Sequence, residues 1–487
     1  MMDSASISLN DDQNQALSNF KLFLADSTER EMILSGSAGT GKSFMTKVLI
    51  NEIRKTSFKL IVTAPTHKAC KVLREFNDDS VTVQTIHRAT KTKMVTDIKT
   101  GLLVPFKMGT LDSDNKDDMH IIIIDECSMV NNDMLAIIRE EAFFDKILYV
   151  GDGYQIPPVR YVHAPVFKTV ITPYNTELKQ VVRQAEDNPI LKLALRFRKA
   201  QDGECDTPVL RGTDDIEEFL AKFNPDTDLI IAGSNDKVKL FNAIIRKRLG
   251  RSDRYEIGET LVANEAITFN GELVIENNTE MVVTANTDGE SHGIRGQVIT
   301  VESSEDVNRE CVLRYEAMKL TKRKRSLEAQ GKPIELIELE RKQAWGKFYR
   351  YCEKHDIDPD TVESATDIFT FTVPNDPLEF DRLLSEYHNK ALAVRETCDA
   401  VTAASKQELP LLLVQQLKDA WNERNNIMAV FADFRPPYAC TVHKSQGTTV
   451  KNAFIDLNTI SGRNINKLMY TALTRATDHN YMYGVLR

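Results

Sequence analysis

Gly36-Ser37-Ala38-Gly39-Thr40-Gly41-Lys42-Ser43 gathers three glycines, a lysine and hydroxyls between the apolar run Met32-Ile33-Leu34 and the helix-like stretch Phe44 to Ile50. A strand, a glycine loop and a helix in that order make a polyphosphate cradle. Gly36, Gly39 and Gly41 let the backbone turn with positive φ and bring its N–H groups close to an anion, and the following helix start adds a favourable dipole. Thr40 completes the loop. In such a loop Lys42 reaches the β- and γ-phosphates and the Ser43 hydroxyl sits on Mg²⁺.

The partner chemistry lies further on. His120-Ile121-Ile122-Ile123-Ile124-Asp125-Glu126 is an apolar strand that ends in two carboxylates, and strand ends are where ligands collect in open α/β sheets. Asp125 is suited to hold Mg²⁺ and Glu126 to polarise an attacking water as general base. Leu148 to Pro158 supplies another strand end, with Gln155 placed to sense a γ-phosphate.

These loops need a parallel sheet to hold them. The first 160 residues alternate apolar strands with amphipathic helices, and strands are expected at Glu31–Ser35, Leu60–Ala64, His120–Asp125 and Ile147–Gly151. A polar interruption at 88–118 reads as an inserted hairpin, with Gly101 to Phe106 near its tip. There the Phe106 ring either stacks on a base pair as a wedge or simply packs. A second α/β pattern begins with a strand at Leu229–Gly233 and a helix from Asn235, capped by Asn235 itself. From Ile275 the chain turns β-rich, with strands at Glu280–Ala285 and Gln297–Val301 broken by Asp288-Gly289 and Gly293, then strongly charged and helical over Arg314–Lys354. Strands resume at Ile427–Ala432, Ala453–Leu457 and Tyr481–Leu486. The organisation expected is a first motor domain over 1–165, a second over 166–274 and 426–487, and a β-rich and helical domain, SH3-like being one option for its strands, inserted over 275–425.

Bulk properties narrow the class. A chain of 487 residues exceeds a single core, and 42% hydrophobic with 27% charged residues is ordinary globular composition. The net charge of −9 excludes a histone-like DNA wrapper, yet leaves room for a groove lined locally with Lys and Arg. Seven scattered cysteines suggest reduced thiols, with neither disulfides nor zinc. No apolar run reaches the roughly 18 residues that span a bilayer, and Met1–Asn10 lacks the order of a secretion signal. A cytoplasmic location, in a bacterial host if phage-encoded, is the expectation.

Asp125-Glu126 followed by Gly151-Asp152-Gly153-Tyr154-Gln155-Ile156-Pro157-Pro158 resembles superfamily 1 helicases of the RecD-like subgroup. The resemblance covers both α/β regions, and the length and insertions look most like the Dda helicases of T-even-type phages. It implies an α/β fold of two RecA-like motor domains. It further implies that Gln13 reads adenine, and that Pro65, Thr66 and His67, with Thr85 and His87, contact a strand in the first motor domain. In Tyr438 to Thr449 it implies that Thr441, His443, Lys444 and Ser445 face DNA, with Gln446 and Gly447 towards nucleotide. Arg475 and Arg183 would be the cleft arginines, a role that suits a permanently charged planar fork.

The expected function is therefore an ATP- and Mg²⁺-dependent DNA helicase moving 5′ to 3′ on single-stranded DNA. It would work at single-strand/duplex junctions as a monomer, alongside a single-strand-binding or replisome protein and away from membranes. The alternatives are a translocase that strips bound proteins and a nucleotide-gated DNA-binding mediator without sustained turnover.

Overall fold

The computed structural model describes residues 9–486, except 77–80, 97–102, 108–117, 142, 159–160, 181–187, 270–271, 276, 304–316, 318–319, 322–323, 325–327, 329–332, 355–367 and 406–409. Two compact units emerge. One holds residues up to Val95, Val104–Leu249 and Pro437–Arg487; the other holds Thr96–Leu103 and Gly250–Pro436.

The first unit begins with β1 (Glu31–Gly36), β2 (Lys59–Ala64), β3 (Thr82–Thr85), β4 (Thr92–Thr96), β5 (Leu103–Lys107), β6 (His120–Ile124), β7 (Lys146–Gly151) and β8 (Thr176–Leu178). Six of these form a sheet in the order β3-β2-β6-β7-β1-β8, and every pairing in it is parallel. Burial explains why such apolar runs become strands here. Successive residues point to opposite faces, so Met32, Leu34, Ile121, Ile123, Leu148 and Val150 enter one core while Ile33, Ile122, Ile124, Ile147 and Tyr149 enter the other. A strand covered on both faces has no polar side to display, which is why β6 reads Ile-Ile-Ile-Ile. The four strands expected in this region form, and β8 carries the sheet past residue 165 to Leu178. β4 and β5 make a separate two-stranded pair within the stretch read as an inserted hairpin, of which 97–102, with Gly101 and Leu102, and 108–117 lie outside the described residues.

The same unit contains β9 (Leu210–Arg211) and β10 (Asp228–Ala232). After them come the strands of the second unit: β11 (Thr260–Ala263), β12 (Ile267–Phe269), β13 (Glu272–Ile275), β14 (Glu280–Ser291), β15 (Ile294–Ser303), β16 (Ile368–Pro374) and β17 (Phe434–Arg435). The first unit then resumes with β18 (Ala439–Thr441), β19 (Val450–Asp456), β20 (Ala476–Tyr483) and β21 (Val485–Leu486). Its second sheet runs β18-β10-β19-β20, again parallel throughout. Leu229, Ile231, Cys440, Ala453 and Ile455 face one core, and Ile230, Ala232, Ala439 and Phe454 the other.

The second unit is a five-stranded antiparallel sheet in the order β16-β15-β14-β11-β17, with a β12-β13 hairpin and the helices Glu335–Lys354, Pro377–Ser405 and Leu411–Val430. It runs wider than 275–425, because β11 and β17 pair with each other and β11 pairs with β14. Asp288-Gly289 does not break the strand as expected: β14 and β15 pair through Gly289↔Gly296. The chain reverses instead at His292 and Gly293, both with positive φ, the signature of a two-residue type I′ turn. Ile427–Ala432 is likewise no strand, since Ile427 and Ala429 form the buried side at the end of the helix Leu411–Val430. A short apolar run fits either period, and here the upstream helix decides. The helix Asn235–Arg248 is capped one residue earlier than expected, by the Ser234 side chain accepting from the Lys237 N–H. The final strand is split at Gly484, whose φ is 79°.

Gly233, just beyond β10, donates its N–H to Thr459 Oγ1 at 2.8 Å, and a Cβ at this position would lie 1.9 Å from the Thr459 carbonyl oxygen. Backbone cannot yield as a side chain does. Gly233→Ala is expected to destabilise the protein by about 3 kcal/mol, whereas Gly153→Ala, whose Cβ would make only ordinary contact with Phe167, changes stability by under about 1 kcal/mol. Urea denaturation followed by circular dichroism measures both.

Candidate nucleotide and strand-binding site

The ends of β1, β6 and β7 deliver the three chemical loops to one edge of the first sheet, with Ser35 registered on Gly151 and Ile124 on Tyr149. Gly39 and Gly41 adopt φ of 80° and 82°, where only glycine is unstrained. Gly36 is needed for a different reason: a Cβ there would sit 2.6 Å from Thr40 Oγ1 and 3.0 Å from the Leu178 carbonyl. The Thr40 hydroxyl donates to Ser37 O at 2.8 Å and ties the loop to itself. Lys42 opens the helix Lys42–Ile53, and its ammonium donates to the carbonyls of Gly36 (2.7 Å) and Ser37 (3.0 Å). Ser43 is exposed in the first turn of this helix. The Ser37 hydroxyl is buried without a hydrogen-bond partner, an unusual state that marks functional loops.

Asp125 and Glu126 follow β6 directly. The Asp125 N–H donates to Thr63 O at 2.8 Å, and Glu126 holds φ of 49°, a left-handed conformation that few side-chain-bearing residues adopt. Desolvation, reinforced by the Glu126 charge, pushes the Asp125 carboxyl up to about 7, while Lys42 pulls the other way. The same surroundings push the Cys127 thiol well above its usual range, so it stays protonated. Gly151 makes this fold-back possible, since a Cβ there would lie 2.7 Å from Cys127 Sγ. A carboxyl held uncharged at such cost is what a divalent cation relieves, and the donor set of Asp125 and the Ser43 hydroxyl is the hard oxygen chemistry Mg²⁺ prefers.

Gln13 is buried and has two tasks. It completes a capping box with Asn10 at the start of the helix Asp11–Ala25, and its Nε2 donates to Thr40 O at 3.4 Å, so the residue expected to read adenine rests against the phosphate loop. Gln155 is also buried, and its Oε1 lacks a partner.

The second sheet reaches into this same edge. Ile156 packs in the core made by Leu229, Ile231, Cys440 and Leu473, although it belongs to the loop after β7. Its carbonyl accepts from Gln446 Nε2 at 2.9 Å, and its N–H donates to Thr471 Oγ1 at 3.3 Å. Gln446, expected to face nucleotide, therefore spends its side-chain N–H on the loop carrying Gln155. Gly447, with φ of 71°, lies against Ala69 and Thr66 at the start of the helix His67–Phe76. Arg475 is 5% exposed and donates to Thr471 O (3.0 Å), Thr448 O (3.3 Å) and Thr474 Oγ1 (3.2 Å). No carboxylate pairs with it among the described residues. A guanidinium desolvated yet held only by neutral oxygens keeps its charge for an incoming anion. Arg183, the other expected cleft arginine, lies outside the described residues.

The expected strand-contacting residues divide into two sets. Pro65 and Thr66 are half-buried at the end of β2, with the Thr66 hydroxyl accepting from the Ala69 N–H; the His67 side chain lies outside the described residues. His443 is exposed on the 3₁₀ turn His443–Ser445, and Thr441 and Lys444 are half-buried beside it. His87 is half-buried and Phe106 is 55% exposed on β5. Thr85 and Ser445 are buried, with their hydroxyls bonded to nearby backbone. Thr85 is 3% exposed and its hydroxyl caps the turn Ile86–Ala89, while Ser445 is fully buried with its hydroxyl on Val442 O at 2.8 Å. Both shape loops because a short hydroxyl competes well for nearby backbone.

Sequence reasoning passed over Asp152 and Tyr470. Asp152 is fully buried, accepting from the Tyr154 N–H at 3.0 Å and from the Tyr470 hydroxyl at 2.5 Å; the Tyr470 oxygen also accepts from the Ala38 N–H at 3.1 Å. The available signal was a tyrosine inside the apolar helix Ile465–Leu473, since a buried phenol needs a partner.

Comparison with known proteins follows the same division. Residues 8–213 match the AAA domain family and residues 436–483 the UvrD-like helicase C-terminal domain, together just over half of the chain. The chain carries an AAA domain and a UvrD-like helicase C-terminal domain, and is similar to RecD-like superfamily 1 helicases. Relatives include the uncharacterized protein R530 of Acanthamoeba polyphaga mimivirus, 23% identical over 94% of this chain and 96% of its own. The ATP-dependent DNA helicase dda of Enterobacteria phage T4 is 28% identical over 49% of this chain and 57% of its own. The ATP-dependent RecD2 DNA helicase of Deinococcus radiodurans is 31% identical over 34% of this chain and 21% of its own. The matched region thus spans less than two thirds of either named helicase. A Pif1 helicase from Bacteroides, solved with ADP-AlF3 and ssDNA, aligns over 98% of this chain and 92% of its own at 16% identity and a TM-score of 0.44. Among the described residues no helix is long and apolar enough to cross a membrane.

The folded protein holds the Asp125 proton to about pH 7, whereas the unfolded chain releases it near the ordinary 3.8, so metal-free stability falls as pH rises between those values. Asp125→Asn is expected to stabilise the metal-free protein by about 2 kcal/mol at pH 8 and hardly at all near pH 4. Millimolar Mg²⁺ at pH 8 should raise the thermal midpoint of the wild type and not of the variant. Differential scanning fluorimetry across pH reads both.

Proposed function

We propose that the chain is an ATP-dependent DNA helicase that moves 5′ to 3′ along single-stranded DNA and separates duplex ahead of it. The observation that carries this reading is Arg475, a buried guanidinium without a carboxylate partner among the described residues, on a second parallel sheet whose core takes in Ile156 from the Gln155 loop of the first. A phosphate loop alone suits many enzymes. A second sheet bonded to the sensing loop and carrying an arginine is what converts hydrolysis into motion between two bodies.

The residues divide the work. Lys42 and the loop N–H groups bind the β- and γ-phosphates of ATP, and Gln13 contacts the adenine side. Ser43 and Asp125 would hold Mg²⁺, which supplies charge neutralisation at the phosphates. Glu126 orients and polarises the attacking water, Gln155 reads whether the terminal phosphate is present, and Arg475, with Arg183, stabilises charge in transfer. Thr66, His443, Lys444 and Thr441 offer hydroxyl, imidazole and ammonium groups to phosphates and read no base edge, as sliding requires. Each base-pair step opened costs about 1.4 kcal/mol in stacking, well within one ATP-driven closure. The direction of travel follows the RecD-like group. A translocase that displaces bound proteins with little unwinding is the second reading, kept because Phe106 is the one exposed aromatic on the described part of the hairpin, a modest wedge.

Lys42→Ala is expected to lower single-strand-stimulated ATP hydrolysis by roughly 100-fold or more. With ATP and a trap strand, the wild type should unwind duplexes bearing a 5′ tail and leave 3′-tailed ones intact; the reverse pattern would sink the direction, and hydrolysis without unwinding would favour the translocase. Phe106→Ala should cut unwinding several-fold at an unchanged ATPase rate, and equal loss of both would return Phe106 to a packing role.

A further inference from the structure

We propose that Tyr470 is a positioning residue through which occupancy of the phosphate loop sets the place of Arg475; this rests on the ATP-driven reading above. The phenol is 1% exposed, and its oxygen makes two bonds that cross from the second sheet to the first. It donates to Asp152 Oδ2 at 2.5 Å and accepts from the Ala38 N–H at 3.1 Å. Ala38 lies within the loop whose N–H groups are the phosphate ligands, so the phenol and a phosphate oxygen are rivals for one donor. A charged oxygen accepts more strongly than a neutral phenol.

The consequence travels along one short helix. Tyr470 and Thr471, near the end of the helix Ile465–Leu473, bond it to the first sheet's loops, Tyr470 to Ala38 and Asp152 and Thr471 to Ile156, while Lys467 at its start donates to Val162 O at 2.8 Å. Arg475 hangs from the next turn, its Nε on Thr471 O and its Nη2 on Thr474 Oγ1. A change in what Tyr470 holds therefore reaches the guanidinium through a single turn of backbone. Asp152 is the fixed end of the device: fully buried and bonded to the Tyr154 N–H, it keeps the phenol close when Ala38 is engaged elsewhere.

The test compares wild type, Tyr470→Phe and the double variant Tyr470→Phe/Asp152→Asn in the full chain. Initial rates of ATP hydrolysis are measured across ATP concentrations with a saturating oligothymidylate, together with thermal midpoints. Tyr470→Phe is expected to lower the DNA-stimulated kcat by about tenfold while KM for ATP stays within about threefold, since an arginine displaced by a fraction of an ångström fails in the transition state rather than in binding. The double variant removes the carboxylate left without its donor, so it should regain stability but not kcat. A kcat close to wild type in Tyr470→Phe, or its recovery in the double variant, would overturn the proposal and leave Tyr470 a structural partner of Asp152. A wild type without DNA-stimulated hydrolysis would instead overturn the motor reading, and the role of Tyr470 with it.

Discussion

A fully buried carboxylate with no cationic partner among the described ion pairs organises the nucleotide edge of this protein. Asp152 is paired with a backbone N–H from its own loop and a phenol from the other sheet. Burying a charge costs several kcal/mol unless hydrogen bonds replace the water, so these two donors must both be in place. That requirement fixes the turn from Asp152 to Gln155, and the turn in turn presents Ile156 to the core of the second sheet. Gln446 and Thr471 close on the backbone of Ile156, and the helix Ile465–Leu473, which Arg475 follows, is thereby seated. The apolar anchor supplies energy, and the polar bonds supply register.

Around that junction the site is held in a charged but unsatisfied condition. The Asp125 carboxyl is pushed towards neutrality, Arg475 is desolvated among neutral oxygens, and the Lys42 ammonium is folded onto the carbonyls of its own loop. Each of these arrangements is poor as a stabilising interaction and suitable as a binding one, because under the proposed function a magnesium triphosphate would supply the missing charges together. Stability is drawn from elsewhere, chiefly the four apolar faces of the two parallel sheets. Such a division is typical of sites that must bind, react and release.

The proposed strand-binding edge is built more economically. Loop residues at the ends of β2 and β18 serve two purposes, Thr66 capping a helix start and Thr441 accepting from the Lys444 N–H, while the neighbouring His443 stays exposed. Thr85 and Ser445 show the limit of reading such loops by residue type. A hydroxyl beside a helix start is as useful to the backbone as to a phosphate, and in both cases the backbone has taken it.

The sequence by itself determined the local chemistry: the glycine loop with Lys42 and Ser43, the acid pair after an all-apolar strand, and the parallel sheets that period-2 burial requires. These are short-range properties, set by backbone sterics and by which residues tolerate complete burial. Only the tertiary structure decided which strand ends meet, and so that Gln446 serves Ile156, that Ser234 rather than Asn235 caps its helix, and that Ile427–Val430 is the end of a helix. Asp152 and Tyr470 stand 318 positions apart in the chain, and no local pattern announces a bond over that separation. Their pairing follows from the demand that a buried carboxylate and a buried phenol each find a partner, and that demand can be met only once both sheets are folded.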